Sequence, residues 1–167
     1  IAYRDEAVTV VRGSIDREIL LESADAAEAL QAALDRLDTQ GGGALLVEVG
    51  GYEIARPLRV PSQVTVRGRG RATILRSNSR SEAQAVLSAR EGDMIVIADL
   101  VCQAASSGGA SAGVHLDGCG DSELRSVHCT GFGDYGILVE NGCFLVRVVS
   151  ATTSGNGKAG ILVRRCA

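Results

Sequence analysis

Ala112-Gly113-Val114-His115-Leu116-Asp117-Gly118-Cys119, Tyr135-Gly136-Ile137-Leu138-Val139-Glu140-Asn141-Gly142-Cys143 and Ala159-Gly160-Ile161-Leu162-Val163-Arg164-Arg165-Cys166 are three copies of one pattern. Glycines 113, 136 and 160 are spaced by 23 and 24 residues, and cysteines 119, 143 and 166 by 24 and 23. A period of roughly 20–30 residues, built from a short apolar strand and a turn, is that of a solenoid whose units bury a face on their neighbours. The fold class read from the sequence is therefore an all-β solenoid of about four coils.

Working upstream, a second row of apolar residues accompanies the first. Leu124, Val127 and Cys129 fall at the offsets of Ile97, Leu100 and Cys102 before them and of Val146, Val149 and Ala151 after them. Each coil thus supplies at least two strands. Short apolar runs at Leu45–Val49, Leu58–Val60, Val64–Val66, Ile74–Leu75 and Val86–Leu87 carry the strand signal back to residue 44. Before that the period changes. Residues 23–37 place Ala26, Ala29, Leu30, Ala33, Leu34 and Leu37 at helical spacing, with Ser23 or Asp25 as cap and Gly41-Gly42-Gly43 as stop. Ala7–Val11 and Ile19–Leu21 predict two short strands around a turn near Gly13. The division is 1–43 for N-terminal strands and a capping helix, and 44–167 for the coils.

Composition agrees with this plan. Twenty-one glycines against two prolines supply tight turns, and with 3% aromatic residues the interior is filled by Val, Ile, Leu, Ala and Cys. The five cysteines show no zinc-type spacing and read as buried thiols acting as small apolar residues, with a disulfide between neighbouring coils as the alternative. No apolar run approaches 20 residues, so no membrane span is expected. The chain begins at Ile1 and stops at Ala167, one residue past a repeat cysteine, which reads as a piece of a longer protein. An uncapped solenoid end exposes strand edges, so further coils or self-association through the C-terminal end is expected. The Ala, Arg, Gly and Val content points to a bacterial source.

The helix with Ala29-Leu30-Gln31-Ala32-Ala33-Leu34, the Gly-Gly-Gly turn, Gly51-Tyr52, Pro61-Ser62-Gln63-Val64-Thr65-Val66-Arg67-Gly68 and Thr73-Ile74-Leu75 together resemble the opening of pectate-lyase-like, right-handed parallel β-helix proteins. The resemblance implies a right-handed parallel β-helix of about four coils with an N-terminal capping α-helix, and a glycan site on an outer face. That superfamily holds lyases, hydrolases, uronate epimerases, phage tailspikes and non-catalytic scaffolds, and a fold does not choose among them.

Strand alternation turns Val114 and Leu116 inward with Ile137, Val139, Ile161 and Val163, and turns His115 and Asp117 outward. Asp117, Glu140 and Arg164 then stack in one outer column, beside His115, Leu138 and Leu162. The candidate catalytic residues are His115, Asp117 and Glu140, because a His with carboxylates nearby can hold a general base. A solvated acid–Arg column with a Leu138–Leu162 docking surface is the competing reading. Seven arginines between Arg56 and Arg80, with no acidic residue among them, stand out in a chain of net charge −3. Arginine forks match carboxylates, so Arg67, Arg69, Arg125, Arg147 and Arg164 are candidate substrate-binding residues. Pairing with Glu48, Glu53 or Glu82 is the alternative for the run. Asp93, Asp121 and Asp134 each follow a glycine and read as turn residues.

These residues suggest a lyase or epimerase on an acidic, uronate polysaccharide; the alternative is a non-catalytic solenoid for binding or assembly. Among superfamily enzymes on uronates the substrate carboxylate is neutralised by calcium or by Arg/Lys. Calcium on Asp117 and Glu140 is a possible cofactor; no transition-metal site is expected. Overall acidity and scarce aromatics argue against nucleic acid. A polysaccharide partner favours an extracellular or cell-envelope location, whereas five reduced cysteines argue against one.

Overall fold

The computed structural model describes residues 1–5, 8–12, 19–77, 85–105 and 110–167. Ala7, Gly13, Arg80 and Glu82 lie outside the described residues. The chain opens with a three-stranded antiparallel sheet of β1 (Ala2–Asp5), β2 (Val8–Arg12) and β3 (Ile19–Ser23), in that order. Strand β1 has too little apolar alternation to be read from sequence.

Helix α1 (Ala26–Thr39) follows. Its N-cap is Asp25, whose Oδ1 accepts from the Ala27 and Glu28 N–H groups at 2.8 and 3.1 Å, satisfying two donors that a helix start leaves orphaned. Past its end Gly41 takes φ +80°, and the Gly42 N–H donates to the Leu37 carbonyl at 2.8 Å. Ala26, Ala27, Ala29, Leu30, Ala33 and Leu34 are buried. The alanines let the helix lie close on the coil beneath it, and burying each leucine stabilises by about 1.5–3 kcal/mol.

Among the described residues, thirteen strands then form five coils. The first coil holds β4 (Gly43–Leu46), β5 (Gly50–Ile54) and β6 (Leu58–Arg59). The second holds β7 (Val64–Arg67), β8 (Thr73–Ser77) and β9 (Ala85–Arg90). Strands β10 (Val96–Ala104) and β11 (Ala112–Asp117) make the third, and β12 (Glu123–Thr130) and β13 (Tyr135–Glu140) the fourth. The fifth has β14 (Arg147–Val149), β15 (Thr152–Ser154) and β16 (Ala159–Arg164). All thirteen pair in parallel. The first row is β4-β7-β10-β12-β14, and the second joins β5-β8 to the far halves of β10 and β12 and then to β15. The third row is β16-β13-β11-β9-β6. This is the expected parallel solenoid with its helix at the N-terminal end. It has five coils where the sequence suggested about four, because the early coils are irregular in length, 21 residues from Ala44 to Thr65 and 31 from Thr65 to Val96, against 24 from Glu123 to Arg147, and so blur the period.

Corners set the register. Gln63, Met94, Asp121 and Leu145 stack with φ between 39° and 60°, and Asp99, Ser126 and Ser150 stack at 51–56°. Left-handed residues of this kind bend the chain once per coil and must superpose. As a result Leu124 faces Val148 and Cys129 faces Thr153, each two residues later than the apolar offsets Val146 and Ala151 suggest. Stacking of Leu145 on Asp121 and of Ser150 on Ser126 overrides the apolar pattern.

The repeated glycines serve the interior. A Cβ on Gly113 would stand 2.7 Å from Cys129 Sγ and 2.8 Å from the Gly136 carbonyl, and one on Gly136 would stand 2.6 Å from the Gly160 carbonyl. The strand therefore kinks inward at each glycine, and Ala112 and Tyr135 return to the outer side, where Ala112 packs with Ala85 and Leu138. Cys102, Cys119, Cys129 and Cys143 are buried and Cys166 is half-buried, all as free thiols. Burial pushes the Cys119 and Cys143 thiols up from their ordinary range. In coil five the inward-facing Ile161 and Val163 are 43% and 58% exposed, against 0% and 3% for Ile137 and Val139 one coil earlier. No helix among the described residues is long and apolar enough to cross a membrane.

A groove between the capping helix and the third strand row

The outer face of the third row carries two columns in register. One runs Arg59, Ser88, His115, Leu138, Leu162 and the other Arg90, Asp117, Glu140, Arg164, with about 4.8 Å between coils. Helix α1 overhangs the upper part of this face and encloses a groove of about 600 Å³. Its floor presents Arg59, Ser88, Arg90, His115 and Asp117; its wall is Gln31, Asp35 and Asp38 of α1.

Gln31 fixes the wall to the floor. Its Oε1 accepts from the Arg59 N–H at 2.8 Å, while its Nε2 donates to the Arg59 carbonyl at 3.2 Å and to Asp35 Oδ1 at 2.8 Å. The side-chain amide thus pairs with the free backbone edge of β6, the outermost strand of its row, and blocks strand addition there. It leaves the Arg59 guanidinium without an ion pair among the described residues.

Asp117 on the floor and Glu140, one coil beyond it, are each held on both oxygens. Asp117 Oδ2 meets Arg90 Nη2 at 3.0 Å, and its Oδ1 accepts from Asn141 Nδ2 at 2.9 Å. Glu140 Oε2 accepts from Arg164 Nε at 2.6 Å, and Oε1 meets His115 Nε2 at 2.9 Å. A carboxylate only accepts, so this contact assigns the proton to Nε2 and leaves Nδ1 as the basic nitrogen. The His115 and Glu140 side chains are 15% and 10% exposed, which screens the pair from water. Chemically the floor is a half-buried imidazole oriented by an anchored acid, next to two guanidinium groups.

Calcium does not fit this donor set. It needs six to eight oxygens, whereas each oxygen of Asp117 and Glu140 already has a cationic or N–H partner, and the described residues contain no group of three metal-ligating side chains.

Of the residues singled out from sequence, the structure brings together His115, Asp117, Glu140 and Arg164. It places the others elsewhere. Arg67 pairs with Asp99 at 2.9 Å, and Arg69 forms two hydrogen bonds to Glu48 at 2.9 and 2.8 Å, holding that carboxyl below its usual range. Arg125 and Arg147 do not form one column, since Arg125 faces Val149; both approach Glu123, at 3.6 and 3.5 Å. Within the Arg56–Arg80 run, Arg56 pairs with Asp25 and Arg76 with Glu53, so the run is dispersed over several faces. Burial, with Arg71 as the second cause, lowers the pKa of His128, which stands outside the groove on β12. Sequence reasoning passed over Arg90, Asn141, Gln31, Asp35 and Asp38. Extending the repeat one coil upstream, Ser88-Ala89-Arg90 under His115-Leu116-Asp117, would have found Arg90; the three helix residues carry no such signal.

No protein-family model and no curated protein matches the chain. Among solved structures, it is similar to a protein from Parabacteroides merdae ATCC 43184 described as a candidate glycosyl hydrolase, with a TM-score of 0.50 and 14% sequence identity, over 83% of this chain and 88% of that one. At that identity the likeness is one of fold, the stacked parallel β-solenoid.

Proposed function

We propose that the chain is a glycan-directed β-solenoid that acts on an acidic, uronate-containing polysaccharide by proton abstraction, as a lyase or an epimerase. The observation that carries this reading is His115, which lines the groove together with Arg59 and meets Glu140, behind the lining, at 2.9 Å, while Arg59 has no ion pair among the described residues. His115 Nδ1 takes the proton beside the substrate carboxylate. Glu140 positions the ring, and Arg164 anchors Glu140. Arg59 and Arg90, on either side of Ser88, neutralise the substrate carboxylate, a role that favours the enolate-like intermediate over the ground state. Asp117 holds Arg90 in place. Arg67, Arg69, Arg125 and Arg147 lie outside the groove and take no part.

Glycosyl hydrolysis, the activity named for the fold neighbour, usually requires a pair of carboxylates flanking the bond. Asp117 on the floor and Glu140 behind it are engaged on both oxygens, which favours proton abstraction. The neighbour's description still supports a glycan as the substrate. The reading is tested by incubating the chain with a panel of polyuronates in deuterated water. Elimination gives a new ultraviolet-absorbing double bond, and epimerisation gives deuterium at the carbon next to the carboxylate. His115→Gln should lower either signal by about 10²–10⁴-fold; a signal unchanged in that variant overturns the reading.

A second reading, a non-catalytic solenoid used for binding or assembly, is favoured by the exposed apolar side chains Met94, Phe144 and Leu145 at one corner of the stack. Self-association visible in sedimentation, with no chemistry on any polyuronate, is its expected outcome.

A further inference from the structure

The groove has two walls of opposite character. The floor offers Arg59, whose guanidinium is unpaired among the described residues, and Arg90, which is 75% exposed and shares only one edge with Asp117. The α1 side offers Asp35 and Asp38, with no cation paired to either among the described residues. Gln31 bonds both the Asp35 carboxylate and the Arg59 main chain, so the wall and the strand that carries Arg59 stand within a single side chain's reach of each other. A sugar bearing a carboxylate is attracted to the floor and repelled by the wall. An uncharged sugar meets no such penalty at the wall, where carboxylate oxygens accept hydrogen bonds from its hydroxyls.

We infer that the groove selects an acidic heteropolysaccharide, in which a uronate seated over Arg59 and Arg90 adjoins a neutral sugar facing Asp35 and Asp38, and disfavours a homopolyuronate. The capping helix is then a specificity element as well as a cover for the solenoid end. This inference rests on the proposed uronate-directed function and adds to it which neighbours the uronate has. One added carboxylate near two aspartates at the protein surface weakens binding about tenfold, since 1.4 kcal/mol is a tenfold change and like charges a few ångströms apart cost about that much in a partly solvated site.

The test uses three hexasaccharides of one backbone: fully acidic, alternating acid and alcohol, and fully carboxyl-reduced. Binding is measured by calorimetry to the wild-type chain and to the Asp35→Asn/Asp38→Asn and Arg59→Gln variants. The alternating probe should bind the wild type about tenfold more tightly than the fully acidic one. The double variant should remove that gap by improving the fully acidic probe, and Arg59→Gln should weaken both acidic probes while leaving the reduced one unchanged. High salt should narrow the gap in the wild type, a readout that needs no variant to fold. Equal affinity for the alternating and fully acidic probes in the wild type overturns the inference and leaves the uronate reading intact. Acidic probes that bind no better than the reduced one overturn the uronate reading itself.

Discussion

His115 on β11 and Glu140 on β13 sit one coil apart and in adjacent columns, and their side chains meet at 2.9 Å. Direct register pairs His115 with Leu138 and Asp117 with Glu140, so the contact is diagonal. A diagonal neighbour holds the imidazole across the strand direction rather than along the stack. Arg164, directly opposite Glu140 in coil five, takes the second oxygen and prevents the carboxylate from swinging away.

Replacing His115 by Gln is expected to lower turnover on the responsive polyuronate by about 10²–10⁴-fold, the usual contribution of a general base. Glu140→Gln should cost less, because a Gln side chain can still meet the ring while failing to select the tautomer. It should also move the pH–rate profile, which a purely structural residue would not do. Arg164→Ala should follow Glu140→Gln in that profile. Steady-state rates across pH for the three variants check the order; identical profiles for wild type and Glu140→Gln would remove Glu140 from the site.

The engaged carboxylates give a second expectation. Activity should persist unchanged after exhaustive chelation and should not rise when calcium is added, since neutralisation of the substrate falls to Arg59 and Arg90. A rate that collapses in chelator and returns with calcium would show that the arginine arrangement is not the working one.

The solenoid was legible because its repeat is local: Gly113, Gly136 and Gly160 and the alternation around Val114, Ile137 and Ile161 lie in short contiguous stretches. The column of Asp117, Glu140 and Arg164 followed from the same alternation. Coil five drifted by two residues because the left-handed corners at Leu145 and Ser150, not the apolar pattern, set its pairing. The groove was only half visible. Its floor is a property of the repeat, whereas its wall depends on where a non-repeating helix comes to rest, and that is fixed by tertiary contacts such as Gln31 with the Arg59 backbone. The arginine run is dispersed for a related reason: arginines close in sequence on a turning coil point to different faces and meet Asp25, Glu48, Glu53 and Asp99.

The inward kink at the repeat glycines predicts a sharp size limit. Gly113→Ala would press a methyl group against Cys129 Sγ and the Gly136 carbonyl, neither of which has room to retreat in a stacked core. The expected loss is about 1–3 kcal/mol, the usual range for overpacking. Gly142→Ala is a suitable contrast: its φ of +86° carries backbone strain, but a Cβ there meets nothing within 4 Å. Urea unfolding of both variants should rank Gly113→Ala as the more damaging. The double change Gly113→Ala/Cys129→Ser should not restore stability, because the carbonyl of Gly136 still blocks the methyl group.

Tyr52 sets an alkaline limit. The side chain is fully buried and its hydroxyl donates to the Glu48 carbonyl at 3.2 Å. Burial is the main cause that pushes its pKa up to about 12, with the nearby Glu48 charge adding to it. An acid whose pKa is raised on folding keeps its proton longer in the folded chain than in the unfolded one. Between about pH 10 and 12 the folded state therefore binds more protons, and stability falls as pH rises through that window. At 1.36 kcal/mol per unit the loss is about 2–3 kcal/mol by the top of it. Tyr52→Phe removes the ionisable group at the cost of one hydrogen bond, about 1 kcal/mol at neutral pH. The wild type should thus be the more stable protein near pH 8, and its advantage should vanish and reverse as pH approaches 12. Urea midpoints of both proteins across that range measure the crossing; parallel curves would mean that the phenol ionises without unfolding the chain around it.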